Sequence, residues 1–209
     1  MEKINESKAL VIVDVQYDFL PGGALAVSEG DEIIPVINEL QEKFDLIIAT
    51  QDWHPESHQS FASSHLGKTP GDLIDLHGLD QILWPDHCVH YTKGAQFAAE
   101  LNQTSWDSIF QKGKNPEVDS YSGFFDNARR GDTGLGDYLQ SKGVKQVYIV
   151  GLAQDYCVKF TALDSQSLGF ETYLVTDATR PVNLSEKDGD LALNEMKTAG
   201  IHLIESGEL

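Results

Sequence analysis

The stretch Val147-Tyr-Ile-Val-Gly-Leu-Ala153, then Gln154-Asp-Tyr-Cys157, then Val158-Lys-Phe-Thr-Ala-Leu-Asp-Ser-Gln-Ser-Leu-Gly169, decides the fold. Its first part is a continuous apolar run, as a parallel strand buried on both faces requires. Its last part places Val158, Ala162, Leu163 and Leu168 at near-helical spacing and ends at a capping glycine, which predicts a helix from Tyr156 to Leu168. Cys157 therefore falls where a buried strand turns into a helix. A thiol there feels the positive end of the helix macrodipole, which favours the nucleophilic thiolate. Backbone N–H groups of the same turn lack helical partners and can face a developing oxyanion. The plain structural alternative is a buried cysteine that only packs.

Working outward, further strands are expected at Ala9–Val15, Leu46–Thr50, Ser108–Phe110, Glu171–Thr176 and His202–Ile204, beside Val147–Leu152. Helical patterns lie between them. Asp31 to Glu42 puts Ile33, Ile34, Ile37 and Leu40 on one face, and others run from Gly94 to Leu101, Leu135 to Lys142 and Glu186 to Ala199. Alternating strand and helix predicts an α/β fold: a mostly parallel central sheet with helices on both faces, in three layers. The length suits one domain, 1–209. Such sheets build sites at the carboxyl ends of their strands. Asp14, Asp52, Lys112 and Cys157 all fall at or just past strand ends. The stretch Gln51 to Gln81 shows little regular pattern, and its aromatic and imidazole content marks it as functional.

Composition excludes several classes. The net charge of −18 would repel a phosphate backbone and an anionic membrane surface. No apolar run is long enough to span a bilayer. Met1 to Lys8 is polar and unlike a secretory signal. Two cysteines, Cys88 and Cys157, make no disulfide framework, so a reducing, cytoplasmic setting is expected.

Asp14 breaks the apolar run Leu10–Val15, and a carboxylate there needs a partner. It is suited to take the thiol proton of Cys157 and return it to a leaving group; the alternative is a structural Asp bonding backbone amides. Lys112, after Ile109-Phe-Gln, would keep that carboxylate ionised and favour the thiolate. A lone solvated lysine is the commoner case, and spacing leaves Lys114 open. Asp52 and His54 are two residues apart and point to one side of an extended segment. With a further imidazole they suit a divalent transition metal with open positions. The third ligand is one of His58, His65, His77, His87 and His90. Cys88 lacks a strand-to-helix turn and reads as packing. Phe19, Trp53, Trp84, Tyr121 and Tyr156 lie near these elements and could stack on a flat ring, although each alone reads as core filling.

Taken together, these segments resemble the nicotinamidase/pyrazinamidase family of the isochorismatase-like cysteine hydrolases. The likeness rests on Val13-Asp14-Val-Gln16-Tyr-Asp18-Phe19 with Gly22-Gly-Ala-Leu25, on Thr50-Gln-Asp52-Trp-His54-Pro-Glu-Ser-His58, on Trp84-Pro-Asp-His87-Cys88, on Lys112-Gly-Lys-Asn-Pro-Glu-Val-Asp119-Ser-Tyr121-Ser-Gly-Phe-Phe-Asp126, and on Gly151-Leu-Ala153-Gln-Asp155-Tyr-Cys157-Val158. It covers Ala9 to Leu203. The resemblance implies a triad of Asp14, Lys112 and Cys157 and an oxyanion hole of the Ala153 and Cys157 N–H groups, beside a cis Leu152–Ala153 bond. It implies a divalent metal, zinc first with iron or manganese as alternatives, on Asp52, His54 and His87, with His58 as an extra ligand in some members. Phe19, Leu25, Trp84, Tyr121 and Tyr156 would line the ring pocket.

The implied reaction is hydrolysis of nicotinamide to nicotinic acid and ammonia through a cysteine thioester, in NAD salvage, with pyrazinamide also turned over. The partner expected is this small molecule, with no nucleic acid and no membrane; a homo-oligomer is left open. Tyr17 stands where the family more often has Asn, and Gln154 where Thr is more usual. The competing readings are a metal-free carbamoyl or ureido hydrolase, a non-catalytic nicotinamide binder, and a redox protein using both cysteines.

Overall fold

The computed structural model describes residues 7–209, so Met1 to Glu6 of the polar N-terminal stretch lie outside the described residues. Its main sheet is six-stranded, in the order β5-β2-β1-β6-β7-β8, with every neighbouring pair parallel. The strands are β1 (Ser7–Val13), β2 (Ile47–Asp52), β5 (Ser108–Lys112), β6 (Val144–Leu152), β7 (Glu171–Arg180) and β8 (His202–Ile204). A separate antiparallel hairpin, β3 (Leu73–Leu76) and β4 (Leu79–Ile82), lies between β2 and β5 in sequence.

Alternate residues of each central strand face opposite cores. From β1, Leu10 and Ile12 join the core that contains α1 (Ile33–Gln41), through Ile33, Ile34, Ile37 and Leu40. Ala9, Val11 and Val13 join the other core, under α2 (Leu135–Ser141), α3 (Lys159–Ser167) and α4 (Asp188–Thr198). Both faces are dry, which is why β1 and β6 read as unbroken apolar runs rather than as alternating ones. The expected three-layer sheet is the one observed.

Two expectations are corrected. Gly94–Leu101 is not helical. Its backbone pairs with the chain leaving β1: Tyr17 N–H donates to Gln96 O at 3.0 Å, Asp18 N–H to Gly94 O at 3.0 Å and Ala98 N–H to Val15 O at 3.1 Å. The buried Gln16 amide adds a bond to Ala95 O at 2.9 Å. These tertiary partners override a near-helical spacing of Ala95, Ala98 and Leu101. Residues 51–81 are also more ordered than expected. They include the end of β2, a 3₁₀ turn at Ala62–Ser64 and the start of the β3–β4 hairpin.

The chain runs outward from β1 through β2 to β5, then crosses back to β6 on the other side of β1. The crevice where the winding direction reverses lies between the carboxyl ends of β1 and β6. The two strands approach closely there. Gly151 on β6 has φ +114°, and a Cβ on it would overlap the Val13 carbonyl of β1. Gly151→Ala should lower stability by about 3 kcal/mol or more, read as the urea midpoint. Gly143→Ala, at φ +71° with open space around it, should cost only about 1 kcal/mol.

Candidate active site

Four strands each deliver one polar side chain to that crevice. Asp14 follows β1, in a left-handed conformation at φ 49° that turns the chain out of the sheet. Asp52 and Lys112 are the last residues of β2 and β5 and are register partners. Cys157 follows β6 in a single π turn, Gln154–Val158, which precedes α3. The Leu152–Ala153 bond that leads into this turn is cis.

Lys112 sits at the centre, 1% exposed. Its ammonium donates to Asp52 Oδ1 at 2.6 Å, to Ser120 O at 2.8 Å and to Cys157 Sγ at 3.5 Å, and lies 2.9 Å from Asp14 Oδ2. Thr50 Oγ1 donates to Asp14 Oδ1 at 2.7 Å. Side-chain atoms of Asp14, Asp52 and Cys157 lie within 4.8 Å of one another. The structure therefore brings together all three residues of the expected triad. Lys114, left open by spacing, is exposed on the far side of Gly113.

The protonation states follow from burial and charge. Burial works against the Lys112 ammonium, but the charges of Asp14 and Asp52 outweigh it and raise its pKa well above the ordinary lysine value. Burial also favours a neutral Asp52, yet Lys112 and then His54 hold it well below the usual carboxylate range. At Asp14 burial wins: despite Lys112, its pKa is raised, with the charge of Asp52 adding to the effect. The thiol corrects the expectation from the helix dipole. Burial pushes the Cys157 pKa well above the ordinary thiol value, Lys112 only partly offsets this, and Asp14 and Asp52 push it further. Desolvation of a charge outweighs the fractional charge of a helix end. The resting group is a thiol beside a carboxylate able to accept its proton.

Asp52 also faces two imidazoles. His54 Nε2 is 3.4 Å and His87 Nε2 3.7 Å from Asp52 Oδ2. His54 Nδ1 bonds Gly113 O at 2.9 Å and His87 Nδ1 bonds Pro85 O at 2.7 Å. Carbonyls only accept, so each Nδ1 carries a proton and each Nε2 turns its lone pair inward. His54 Nε2 is buried without a hydrogen-bond partner. Two lone pairs and a carboxylate oxygen converging without a donor between them suit a cation. Burial disfavours a proton on His54, yet Asp52 more than compensates and its pKa is raised, another sign of a field that attracts positive charge. The residues present thus fit a divalent metal with nitrogen and oxygen ligands. Gly113 allows the close approach of His54, since a Cβ there would run into the ring.

Among the other candidate ligands, His58 stacks near His54, with ring centroids 4.4 Å apart, and Ser60 N–H donates to its Nδ1 at 3.2 Å. Burial lowers its pKa to about 4. His65 bonds Gln59 O, His77 is exposed on the hairpin turn, and His90 packs on Trp53 and Tyr91. Cys88 is fully buried, and burial raises its thiol pKa, as packing requires.

Above the thiol lies a cavity lined by Phe19, Leu25, Trp84, Tyr121, Tyr156, Ala153 and Cys157, with Asp52 and His87 at one side. All five residues expected at a ring pocket are there. Trp84 meets Tyr121 at 88° and Tyr156 at 90°. Burial keeps both phenols protonated, with the Tyr156 pKa pushed up to about 12. Trp53 lies outside this lining, half-buried beside Tyr91. Three lining residues were not anticipated: Val27, Asp119 and Val182. Val182 is held by its N–H to Asp155 Oδ1 at 2.9 Å, a contact across 27 residues that no local pattern announces. Tyr17 and Gln154 point away from the cavity. Tyr17 Oη accepts from Ala99 N–H at 3.1 Å, and Gln154 donates to Gly189 O at 3.1 Å.

Comparison with known proteins gives the family. The isochorismatase domain family matches residues 8–208. The chain belongs to the isochorismatase family. Within that family it groups with the nicotinamidases: it is 48% identical to the nicotinamidase of Escherichia coli strain K12 over 200 residues, 94% of this chain and 93% of that protein. The solved nicotinamidase/pyrazinamidase of Acinetobacter baumanii superposes with TM-score 0.94 at 42% identity, covering 99% of both chains. The pyrazinamidase of Pyrococcus horikoshii, solved in complex with zinc, gives TM-score 0.78 at 42% identity over 95% of this chain and 99% of that one.

Lys112→Met removes the ammonium that pairs with both Asp14 and Asp52. It should destabilise this isochorismatase-family chain by about 3–5 kcal/mol in denaturant unfolding. A loss under about 1 kcal/mol would show that the ion cluster is not what holds the strand ends together.

Proposed function

We propose that this protein is a nicotinamide amidohydrolase that converts nicotinamide to nicotinic acid and ammonia in NAD salvage, and that pyrazinamide is a second substrate. The observation that carries this reading is the Cys157 thiol, flanked by Lys112 and the Asp14 carboxylate, beneath an aromatic-lined cavity. Likeness to nicotinamidases at 48% and 46% identity over most of the chain supports the same chemistry.

Asp14 takes the proton of Cys157, and Sγ bonds to the carboxamide carbon. Charge develops on the carbonyl oxygen, where the Ala153 and Cys157 N–H groups are suited to meet it. The C–N bond breaks, and Asp14 returns its proton to the leaving nitrogen, which departs as ammonia. Water then adds to the thioester with Asp14 again as base. The C–S bond breaks, and the acid and the thiol are released. Lys112 stays charged throughout, orienting Asp14 and balancing the buried negative charge.

Asp52, His54 and His87 would hold one divalent ion, zinc by its ligand set, with iron or manganese as alternatives; His58 is the candidate extra ligand. Such an ion supplies an electron-pair acceptor for a ring nitrogen. Phe19, Leu25, Trp84, Tyr121 and Tyr156 would enclose the ring. We read residues 1–209 as one catalytic unit that acts on a small molecule in the cytoplasm, with no nucleic-acid partner given its net charge of −18. Among the described residues, no helix is long and apolar enough to cross a membrane.

The test is ammonia release from nicotinamide by purified protein. Cys157→Ala should lower kcat by roughly four orders of magnitude or more while leaving the unfolding midpoint nearly unchanged; substantial residual turnover would rule out the thioester route. Treatment with a chelator should remove about one metal ion per chain and most activity, with zinc, iron or manganese restoring it. Full activity in metal-free protein would favour a carbamoyl or ureido hydrolase instead.

A further inference from the structure

Gln81 lies on β4, in the hairpin outside the main sheet, and is 2% exposed. Nothing in its sequence context marks it. Its side-chain amide nitrogen nevertheless shares its two N–H donors among three acceptors within reach: Ile82 O at 2.7 Å, Asp119 Oδ2 at 2.9 Å and Tyr121 Oη at 3.1 Å. The same Tyr121 oxygen accepts from Trp84 Nε1–H at 3.1 Å. One amide thus ties together two perpendicular aromatic walls of the cavity and the carboxylate that lines it between them.

Asp119 carries the contact inward. Its Oδ1 accepts from Ser120 N–H at 2.8 Å, and the Ser120 carbonyl receives Lys112 Nζ. No cation pairs with Asp119 within ion-pair distance among the described residues, so its Oδ2 depends on the Gln81 amide. Gln81 does not itself line the cavity.

We propose that Gln81 is a positioning residue that sets the ring-binding wall of this site, holding Tyr121 and Asp119 so that the cavity accepts a flat six-membered aromatic amide. The proposal rests on the amidohydrolase reading above. Removing the amide leaves the buried Asp119 Oδ2 without its donor and takes from Tyr121 Oη one of its two donors, so both side chains lose the contact that orients them. A wall displaced by a fraction of an ångström weakens ring binding before it alters the chemistry at sulfur.

Gln81→Leu keeps the volume and removes the donors. It should raise KM for nicotinamide about tenfold while kcat stays within about threefold. Alkylation of Cys157 by iodoacetamide, which needs no ring pocket, should keep its wild-type rate. Unchanged KM overturns the proposal. So does an equal fall in kcat and in alkylation rate, which would mean a general loss of scaffold.

Tyr121→Phe removes the shared acceptor from the other side and carries the test if Gln81→Leu fails to fold. It too should raise KM, and the two changes combined should raise it no further than the larger alone. Additive effects, or no effect of Tyr121→Phe, overturn the coupling. Wild-type protein that releases no ammonia sinks the amidohydrolase reading instead. The same variants are then compared by calorimetric binding of nicotinamide, where an unchanged Kd overturns the positioning role.

Discussion

A single ammonium, that of Lys112, organises the carboxyl edge of the sheet. Taking one positive and two negative charges out of water is expensive, and only short, directional contacts offset it. Lys112 makes them with groups from four separate places: Asp14 after β1, Asp52 on β2, the Ser120 carbonyl in the loop after β5, and Cys157 after β6. Remove the charge and the two buried carboxylates face each other uncompensated. The position of the strand ends, the ionisation of Asp52 and the placement of the thiol all depend on this cluster.

The cluster explains why the nucleophile is held neutral. A helix end favours a thiolate, but Cys157 is nearly enclosed and has two carboxylates beside one ammonium. The local excess is negative, and burial amplifies it. A neutral thiol with a base in reach suits a reaction in which one proton must leave sulfur and later reach nitrogen. Asp14, with its pKa raised by burial, is a better shuttle than an ordinary carboxylate, because its proton affinity is closer to that of the groups it serves.

Asp52 links the two halves of the site. One carboxylate oxygen accepts a hydrogen bond from the Lys112 ammonium, while the other faces His54 and His87. The histidines are aimed by backbone carbonyls of Gly113 and Pro85, so their inward lone pairs are set before any ion arrives. The aromatic cavity is lined by the sulfur of Cys157 and, elsewhere, by Asp52 and the His87 imidazole, which gives a ring two ends to be recognised by.

The sequence by itself determined the layer architecture, because β1 and β6 must be buried on both faces to hold runs such as Leu10–Val13 and Val147–Val150, and this needs helices above and below. It also marked Asp14, Asp52, Lys112 and Cys157 as candidates, since rare side chains at strand ends stand out against apolar neighbours. Tertiary structure alone decided the rest. Gly94–Leu101 has a helical spacing but bonds to the chain beyond β1, because backbone groups from a distant segment were available to it. The choice of His87 over His65, His77 and His90 depends on where loops return in space. Val27, Val182, Asp119 and Gln81 carry no local signal; they matter through contacts that span tens of residues. The state of the Cys157 thiol was decided there too, since desolvation depends on everything packed around a group, whereas a helix dipole can be read from the few residues beside it.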